Sequence, residues 1–171
     1  MEDQTKTVQA LQKAMKMEID GKQFYLKAAR NSQNELGKAL FLALAGEEDL
    51  HLLKFKKIFE TIKAQKKWPR IRITPHAARD LKTLFAAASA DVHSASSEIE
   101  AIQTAMTMEN QTRDFYQEQA ETAGFAVEKH YYTLLAGEES AHHAALLDYY
   151  EYLSNPGQYF TLKERHSLDG G

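Results

Sequence analysis

The pentapeptide Leu44-Ala45-Gly46-Glu47-Glu48 recurs letter for letter as Leu135-Ala136-Gly137-Glu138-Glu139. The same offset of 91 residues relates the whole of 10–60 to 101–151, so the chain contains an internal repeat. Each copy carries a Glu and, thirty residues later, a Glu-x-x-His; these residues are Glu18, Glu48 and His51, and Glu109, Glu139 and His142. Four carboxylates and two imidazoles form a ligand set for two metal ions held between helices. The repeat therefore predicts a dinuclear metal site.

The composition is that of one globular domain without disulfides. A chain of 171 residues can bury a core unaided, and 43% hydrophobic residues with only three prolines favour helices. The net charge of −3 gives no electrostatic reason to expect nucleic acid as a partner, because phosphate binding needs a basic surface. The absence of cysteine excludes disulfides, thiolate zinc sites, iron–sulfur clusters and a rubredoxin-type iron centre within this sequence.

The N-terminal region and the hydropathy of the chain predict its location. Residues 1–6 lack the charged and then apolar layout of a signal peptide. No apolar run approaches the length of a membrane span. We therefore expect a cytoplasmic protein that has no membrane partner.

Four segments with helical periodicity account for most of the sequence: 5–31, 36–64, 95–123 and 126–154. In each segment the candidate ligands lie within the apolar stripe that would face a bundle core. Short polar turns at 31–34 and 121–124 make each pair of segments an antiparallel hairpin. The predicted fold class is therefore all-α, an antiparallel four-helix bundle made of two repeated helical hairpins.

The remaining segments connect and end this bundle. Residues 65–94 are long enough to run its full length as a crossover, with a short helix predicted near 77–89. Residues 155–171 open with Asn155-Pro156-Gly157, which predicts the end of the last helix and then an extended tail. We assign 1–154 to the bundle and the tail to the same domain.

The energetic argument for metal rests on burial. A Glu and a His three residues apart on a helix are separated by about 60° around the axis and about 4.5 Å along it, so both reach one point. Unpaired carboxylates in a bundle core would be costly or would take up protons, whereas two divalent cations would neutralise four of them. This favours a metal site over four solvent-exposed helix carboxylates. The mixed oxygen and imidazole ligands favour iron, with manganese or a mixed site as the alternative.

The doubled pattern of Glu and Glu-x-x-His resembles the rubrerythrin branch of the ferritin-like superfamily over residues 8–154. The resemblance implies two iron ions bridged by the carboxylates of Glu48 and Glu139. The terminal ligands that it implies are Glu18 with His51 at one iron, and Glu109 with His142 at the other. It also implies reduction of hydrogen peroxide to water in oxidative stress defence, with electrons from rubredoxin or a related carrier. A homodimer is expected on the same ground.

Two departures from rubrerythrins leave the substrate open. The sequence has no rubredoxin domain, and Thr112 stands where the family usually carries an extra Glu; its repeat mate is Gly21. That Glu lets one iron change its ligand during turnover, so a site without it could react more readily with dioxygen or serve ferrous oxidation. The alternatives to a peroxidase are a ferroxidase or dioxygen-reducing protein, an iron-binding or storage subunit, and a metal-free helical interaction module.

Two tyrosines share the ligand face of their helices. Tyr25 and Tyr116 lie seven residues beyond Glu18 and Glu109. At this position a phenol could hydrogen-bond a ligand or relay an electron, and plain core packing is the competing interpretation.

The residues next to the candidate ligands are not predicted to bind metal. Glu47, Glu138 and His143 point about 100° away from the ligand face, which predicts surface or supporting positions. Gly46 and Gly137, two residues before a ligand Glu, would allow close contact between helices.

A basic segment follows the first Glu-x-x-His. Residues 54–72 include eight basic residues and only one acidic residue, Glu60. The basic residues are Lys54, Lys56, Lys57, Lys63, Lys66, Lys67, Arg70 and Arg72. A solvated helix end explains such a segment, because cations there suit the helix dipole. Docking of an acidic electron carrier is the functional alternative, and nucleic acid is a weaker third.

Overall fold

The computed structural model describes residues 2–65, 67–69, 84–85 and 96–159. Four long helices make up most of these ranges: α1 (Glu2–Asn31), α2 (Glu35–Gln65), α3 (Ser96–Thr122) and α4 (Ala126–Ser154). No strand occurs in the ranges that are described, and the predicted all-α fold class is confirmed. The predicted boundaries are close to the observed ones; the largest difference is at α1, which begins at Glu2 instead of residue 5.

The four helices pack as two hairpins. α1 packs against α2 and α3 packs against α4, while a smaller contact between α1 and α3 joins the hairpins. A salt bridge from Lys22 Nζ to Asp49 Oδ1 (2.6 Å) links α1 and α2 across the first hairpin. Of the predicted crossover at 65–94 and its short helix near 77–89, residues 84 and 85 are helical. The rest of that helix lies outside the described residues.

Local hydrogen bonds begin the second helix of each hairpin. The carbonyl of Asn34 accepts the N–H of Lys38 (2.9 Å), and Ser32 Oγ accepts the N–H of Asn34 (3.3 Å). Before α4, Phe125 has an extended backbone (φ −124°, ψ 140°), and its carbonyl accepts the N–H of Lys129 (3.0 Å). Each turn thus ends on a residue whose carbonyl accepts the first backbone hydrogen bond of the next helix.

A buried carboxylate ties the turn of the first hairpin to the second hairpin. Glu98, near the start of α3, accepts hydrogen bonds from Ser32 Oγ (2.5 Å), Asn34 Nδ2 (2.8 Å) and Tyr149 Oη (2.6 Å). A Cβ at Gly37 would collide with Tyr149 Oη and with the Glu98 carboxylate. The close approach of this network to the backbone of α2 therefore requires glycine at position 37.

The predicted role of Gly46 and Gly137 is wrong. Both lie on exposed faces of their helices, and a Cβ at either position would meet no atom of the described residues within 4 Å. Neither glycine therefore allows a close helix contact. The repeat of the surrounding pentapeptide preserves its buried members, and the glycines themselves have no packing role within the described part of the chain.

Two apolar clusters fill the bundle. Representative members are Tyr25, Leu44, Ile102 and Tyr149 in the first, and Leu11, Phe55, Tyr116 and Leu135 in the second. Along every helix, the candidate metal ligands lie between residues of the first cluster and residues of the second. The bundle therefore encloses a polar layer between two apolar ones.

The C-terminal tail begins with a helical turn, which corrects the prediction of extended chain. Asn155 ends α4 as expected, but 156–159 are helical. Asn155 Oδ1 accepts the N–H of Gln158 (3.3 Å) and its carbonyl accepts the N–H of Tyr159 (3.1 Å), so Asn155 caps this turn. The buried ring of Tyr159 packs edge-on against Tyr152, and this apolar contact holds the turn against the bundle. The tail beyond 159 lies outside the described residues.

Candidate metal centre

The polar layer at the middle of the bundle brings together all six residues singled out by the repeat. α1 and α3 each supply one glutamate, while α2 and α4 each supply a glutamate and a histidine three residues later. The six are Glu18, Glu48, His51, Glu109, Glu139 and His142, and none is more than 3% exposed. Helical spacing carries them into the core, because each lies in the apolar stripe of its helix.

The six side chains form two overlapping groups. Glu18, Glu48, His51 and Glu139 offer ligand atoms that all lie within 4.8 Å of one another. The second group, with the same limit, consists of Glu48, Glu109, Glu139 and His142. Glu48 and Glu139 belong to both groups, so these two carboxylates lie between two potential metal positions. Each position has, in addition, one glutamate and one histidine of its own.

Both imidazoles turn Nδ1 toward the carboxylates. His51 Nδ1 lies 3.4 Å from Glu18 Oε2 and 3.4 Å from Glu139 Oε1. His142 Nδ1 lies 3.3 Å from Glu48 Oε1, 3.5 Å from Glu109 Oε2 and 3.5 Å from Glu139 Oε2. The two rings are nearly parallel, at 19°, with centroids 5.8 Å apart. The site thus has one inward nitrogen for each potential position.

Burial makes full ionisation of the carboxylates costly. Burial raises the pKa of Glu48 well above its usual value, and the nearby Glu18 charge raises it further. Burial and then the Glu139 charge raise the pKa of Glu109 to about 7. Burial and the Glu48 charge also raise the pKa of Glu139, but the close approach of the Nδ1 atoms of both histidines outweighs them and holds it below its usual value.

The histidines are the cationic partners of these carboxylates. Burial lowers the pKa of His51, but the Glu18 charge and a hydrogen bond to Glu138 raise it well above its usual value. Burial lowers the pKa of His142 as well, and the charge of Glu109 overcomes that effect. Protons therefore balance the charge of the metal-free site. Metal ions that bind to these atoms would replace those protons.

The chemistry of the site fits two divalent cations. Buried atoms without a hydrogen-bond partner among the residues described here include Glu18 Oε2, His51 Nδ1, Glu109 Oε2, Glu139 Oε1 and His142 Nδ1. Buried polar atoms almost always have partners, so several that converge without one indicate a cation-binding site. Two divalent ions bring four positive charges against four carboxylates, and oxygen with imidazole suits iron or manganese.

Two tyrosines orient the outer glutamates. Tyr25 Oη donates a hydrogen bond to Glu109 Oε1, and Tyr116 Oη donates one to Glu18 Oε1. Burial first, and then the neighbouring carboxylates, raise the pKa of both phenols well above the usual value, so both stay protonated. Each phenol thus pairs with the glutamate of the other hairpin, because the glutamate on its own helix lies two turns away. The second oxygen of each glutamate is left facing the site.

Glu138 occupies a supporting position, which is one of the two positions that its spacing predicted, while its contact with His51 was not predicted. It is only 5% exposed, and its Oε2 lies 2.5 Å from His51 Nε2. Burial raises the pKa of Glu138, but the hydrogen bond and the charges of His51 and Lys54 outweigh this and lower it. Glu47 and His143 are only half-buried. The repeat offers no signal that separates Glu138 from its repeat mate Glu47, because the two stand in identical pentapeptides.

The basic segment after His51 is partly described. Lys56, Lys57, Lys63 and Lys67 are exposed, and Lys54 is half-buried. Lys66, Arg70 and Arg72 lie outside the described residues. Exposed cations along the end of α2 agree with a solvated helix end and also with a docking face for an acidic protein.

The hydropathy of these helices differs from that of membrane-spanning helices. Within the described ranges, no helix combines the length and apolar character that crossing a bilayer would require.

Comparison with known proteins agrees with this geometry. The sequence model of one protein family, described as Rubrerythrin, matches residues 9–150 and so covers all six central residues. No curated protein and no solved structure matches the chain. Because the family match spans both hairpins and most of the sequence, the chain belongs to the rubrerythrin family of ferritin-like proteins.

Proposed function

We propose that the buried site binds two iron ions and that the protein reduces hydrogen peroxide to water with electrons from an external carrier. The observation that carries this proposal is the pair of overlapping ligand groups that share Glu48 and Glu139. Family membership supports the assignment to oxidoreductases with dinuclear iron. Bound iron would supply the reversible one-electron redox chemistry that peroxide reduction requires.

The proposed ligand roles follow from the two groups. Glu48 and Glu139 would be shared by the two positions, since each belongs to both groups. The outer ligands would be, in pairs, Glu18 with His51 and Glu109 with His142. This assignment gives a cation as partner to the buried carboxylate oxygens of Glu18, Glu109 and Glu139 that have no hydrogen bond, and to both Nδ1 atoms.

The surrounding residues would orient the ligands and exclude water. Tyr25 and Tyr116 hold one oxygen of each outer glutamate, so the other oxygen is directed to the site. The two apolar clusters on either side keep bulk water away, which strengthens charge interactions inside the layer. Reduction of one peroxide to two waters takes up two electrons and two protons. The phenols of Tyr25 and Tyr116 keep protons beside ligand carboxylates.

The second candidate is ferrous oxidation with dioxygen. Neither Gly21 nor Thr112 offers a carboxylate to the site; the Thr112 hydroxyl donates a hydrogen bond to the Met108 carbonyl (3.1 Å). A Cβ at Gly21 would lie 3.5 Å from the Glu48 carboxylate, so this position faces the site without contributing a ligand. A ligand set without an exchangeable carboxylate favours the ferroxidase alternative.

Electron delivery is proposed to occur at the basic end of α2. The exposed lysines there would attract an acidic carrier of the rubredoxin type, and such attraction weakens as salt screens the charges.

Anaerobic loading with ferrous iron followed by rapid mixing tests the choice of substrate. Ferric absorbance is followed after addition of peroxide or of dioxygen. We expect fast oxidation by peroxide and much slower oxidation by dioxygen. The reverse preference would overturn the peroxidase proposal in favour of the ferroxidase.

A matched pair of variants tests the centre itself. Glu139→Ala removes a proposed bridging carboxylate, so iron content should fall from two ions per chain. Glu47→Gln changes a half-buried glutamate outside both groups and should leave iron content unchanged. Full iron content in Glu139→Ala would contradict the bridging role.

A further inference from the structure

The outer nitrogens of the two histidines have different surroundings. His51 Nε2 donates to Glu138 Oε2 at 2.5 Å, and the His51 ring is fully buried. His142 Nε2 is also buried, but it has no hydrogen-bond partner in the part of the chain that the structure describes. The inward Nδ1 atoms of the two rings are alike. The asymmetry therefore lies behind the ligands, on the sides of the rings that face away from the carboxylates.

The internal repeat allows the surroundings of the two histidines to be compared residue by residue. Glu47 is the repeat mate of Glu138, so the first hairpin carries the same glutamate one residue before its ligand. Glu47 is nevertheless half-buried and forms no hydrogen bond or ion pair with any described residue. Lys54, whose charge acts on Glu138, has Ala145 as its repeat mate. Identical local sequence thus produces a paired carboxylate at only one of the two histidines.

A carboxylate at Nε2 has two physical consequences for the imidazole. When a metal ion replaces the proton on Nδ1, the proton that is donated to Glu138 stays on Nε2, so the Nδ1 lone pair is the one offered to the site. The negative charge of Glu138 also makes the ring a more basic ligand, which strengthens its bond to a cation. His142 has neither constraint. On its outer side the ring is held by packing, and its buried Nε2–H has no hydrogen-bond partner among the described residues.

We propose that Glu138 is a positioning residue that makes the two metal positions unequal. The position formed by Glu18 and His51 binds a divalent cation more tightly than the position formed by Glu109 and His142. The two ions consequently bind in separate steps, the first at His51. This inference rests on the proposed dinuclear centre and holds whichever oxidant the centre uses. Loss of such a supporting partner typically lowers metal affinity about 10–100-fold.

Titration of the full metal-free chain with Co²⁺ tests the proposal. Visible absorbance and binding calorimetry are recorded for the natural sequence and for Glu138→Gln and Glu47→Gln. The natural sequence should bind two ions in resolved steps. Glu138→Gln keeps an acceptor oxygen but loses the charge, so the first step should weaken about 10–100-fold and merge with the second. Glu47→Gln should behave as the natural sequence does.

Two further variants assign the steps. His142→Ala should keep the tight first step, whereas His51→Ala should lose it. Glu138→Ala removes both the charge and the acceptor, so its first step should be at least as weak as in Glu138→Gln. Circular dichroism checks that each variant keeps its helices, and the isosteric Glu138→Gln keeps the test valid if the alanine variant does not fold.

The outcomes separate this proposal from the proposed function. Two indistinguishable steps in the natural sequence, or an unchanged first step in Glu138→Gln, would overturn the inequality and leave the dinuclear centre intact. An equal loss in Glu47→Gln would also overturn it, because Glu47 forms no hydrogen bond with His51 or His142. Absence of Co²⁺ binding by the natural sequence would overturn both proposals.

Discussion

Replacement of Tyr116 by Phe isolates the hydrogen bond that orients Glu18. The ring stays in the second apolar cluster, and only the phenol that donates to Glu18 Oε1 is lost. Glu18 is fully buried, so water cannot easily replace the lost hydrogen bond to its oxygen. A hydrogen bond to a charged group contributes about 1.5–3 kcal/mol, and we expect the metal-free chain to lose that much free energy of unfolding.

The corresponding loss in melting temperature is about 3–12 °C, because 1 kcal/mol shifts the midpoint by about 2–4 °C in a chain of this size. Thermal unfolding with EDTA present gives this value without the stabilisation that bound metal adds. Tyr25→Phe should show a similar loss through Glu109, its own hydrogen-bond partner. Affinity for Co²⁺ should also fall in both variants, since a supporting hydrogen bond to a ligand is lost.

Tyr131→Phe is the matched control for this prediction. Its ring is equally buried and packs against Phe55 and Trp68, but its hydroxyl has no hydrogen-bond partner among the described residues. Removal of an unpaired buried hydroxyl should be neutral or slightly stabilising. Equal melting temperatures for Tyr116→Phe and Tyr131→Phe would refute the assigned role of the phenol.

Two other properties follow from the same structure. Burial raises the pKa of Glu109 to about 7 and also raises the pKa of Glu48, so these groups hold more protons in the folded metal-free chain than in the unfolded chain. The stability of the metal-free chain to urea should therefore fall as the pH rises from about 4.5 to 7. An increase in stability over this pH range would contradict the prediction. Gly46→Ala should stabilise the chain by up to about 1 kcal/mol, whereas Gly37→Ala should destabilise it through collision with Tyr149; equal melting temperatures would refute the packing argument.

Much of the fold could be predicted because helices depend on the spacing of apolar residues along the sequence. Apolar residues three and four apart identified all four helices, and Gly, Pro and polar clusters marked their ends. The turn at 156–159 was missed because Asn155 serves two roles, as the end of α4 and as the cap of the next turn. A stop signal in a sequence does not reveal that a second helical turn begins at the same residue.

The candidate ligands were predictable because both the interval within a helix and the offset between copies are properties of the chain itself. Glu48 and His51 must share a face of α2, and the repeat places Glu139 and His142 in the same way on α4. Burial of carboxylates then requires a partner, whatever the details of packing. The structure brings these side chains into two groups that share two glutamates.

Contacts between helices were decided only by the tertiary structure, because they depend on how each helix is rotated and how far it stands from its neighbours. Tyr25 meets Glu109 of the other hairpin instead of a residue on its own helix. Glu138 forms a hydrogen bond with His51, while Glu47 forms none with a histidine among the described residues. A repeated sequence determined two equivalent sets of ligands, and the packing of the two hairpins made the surroundings of those ligands unequal.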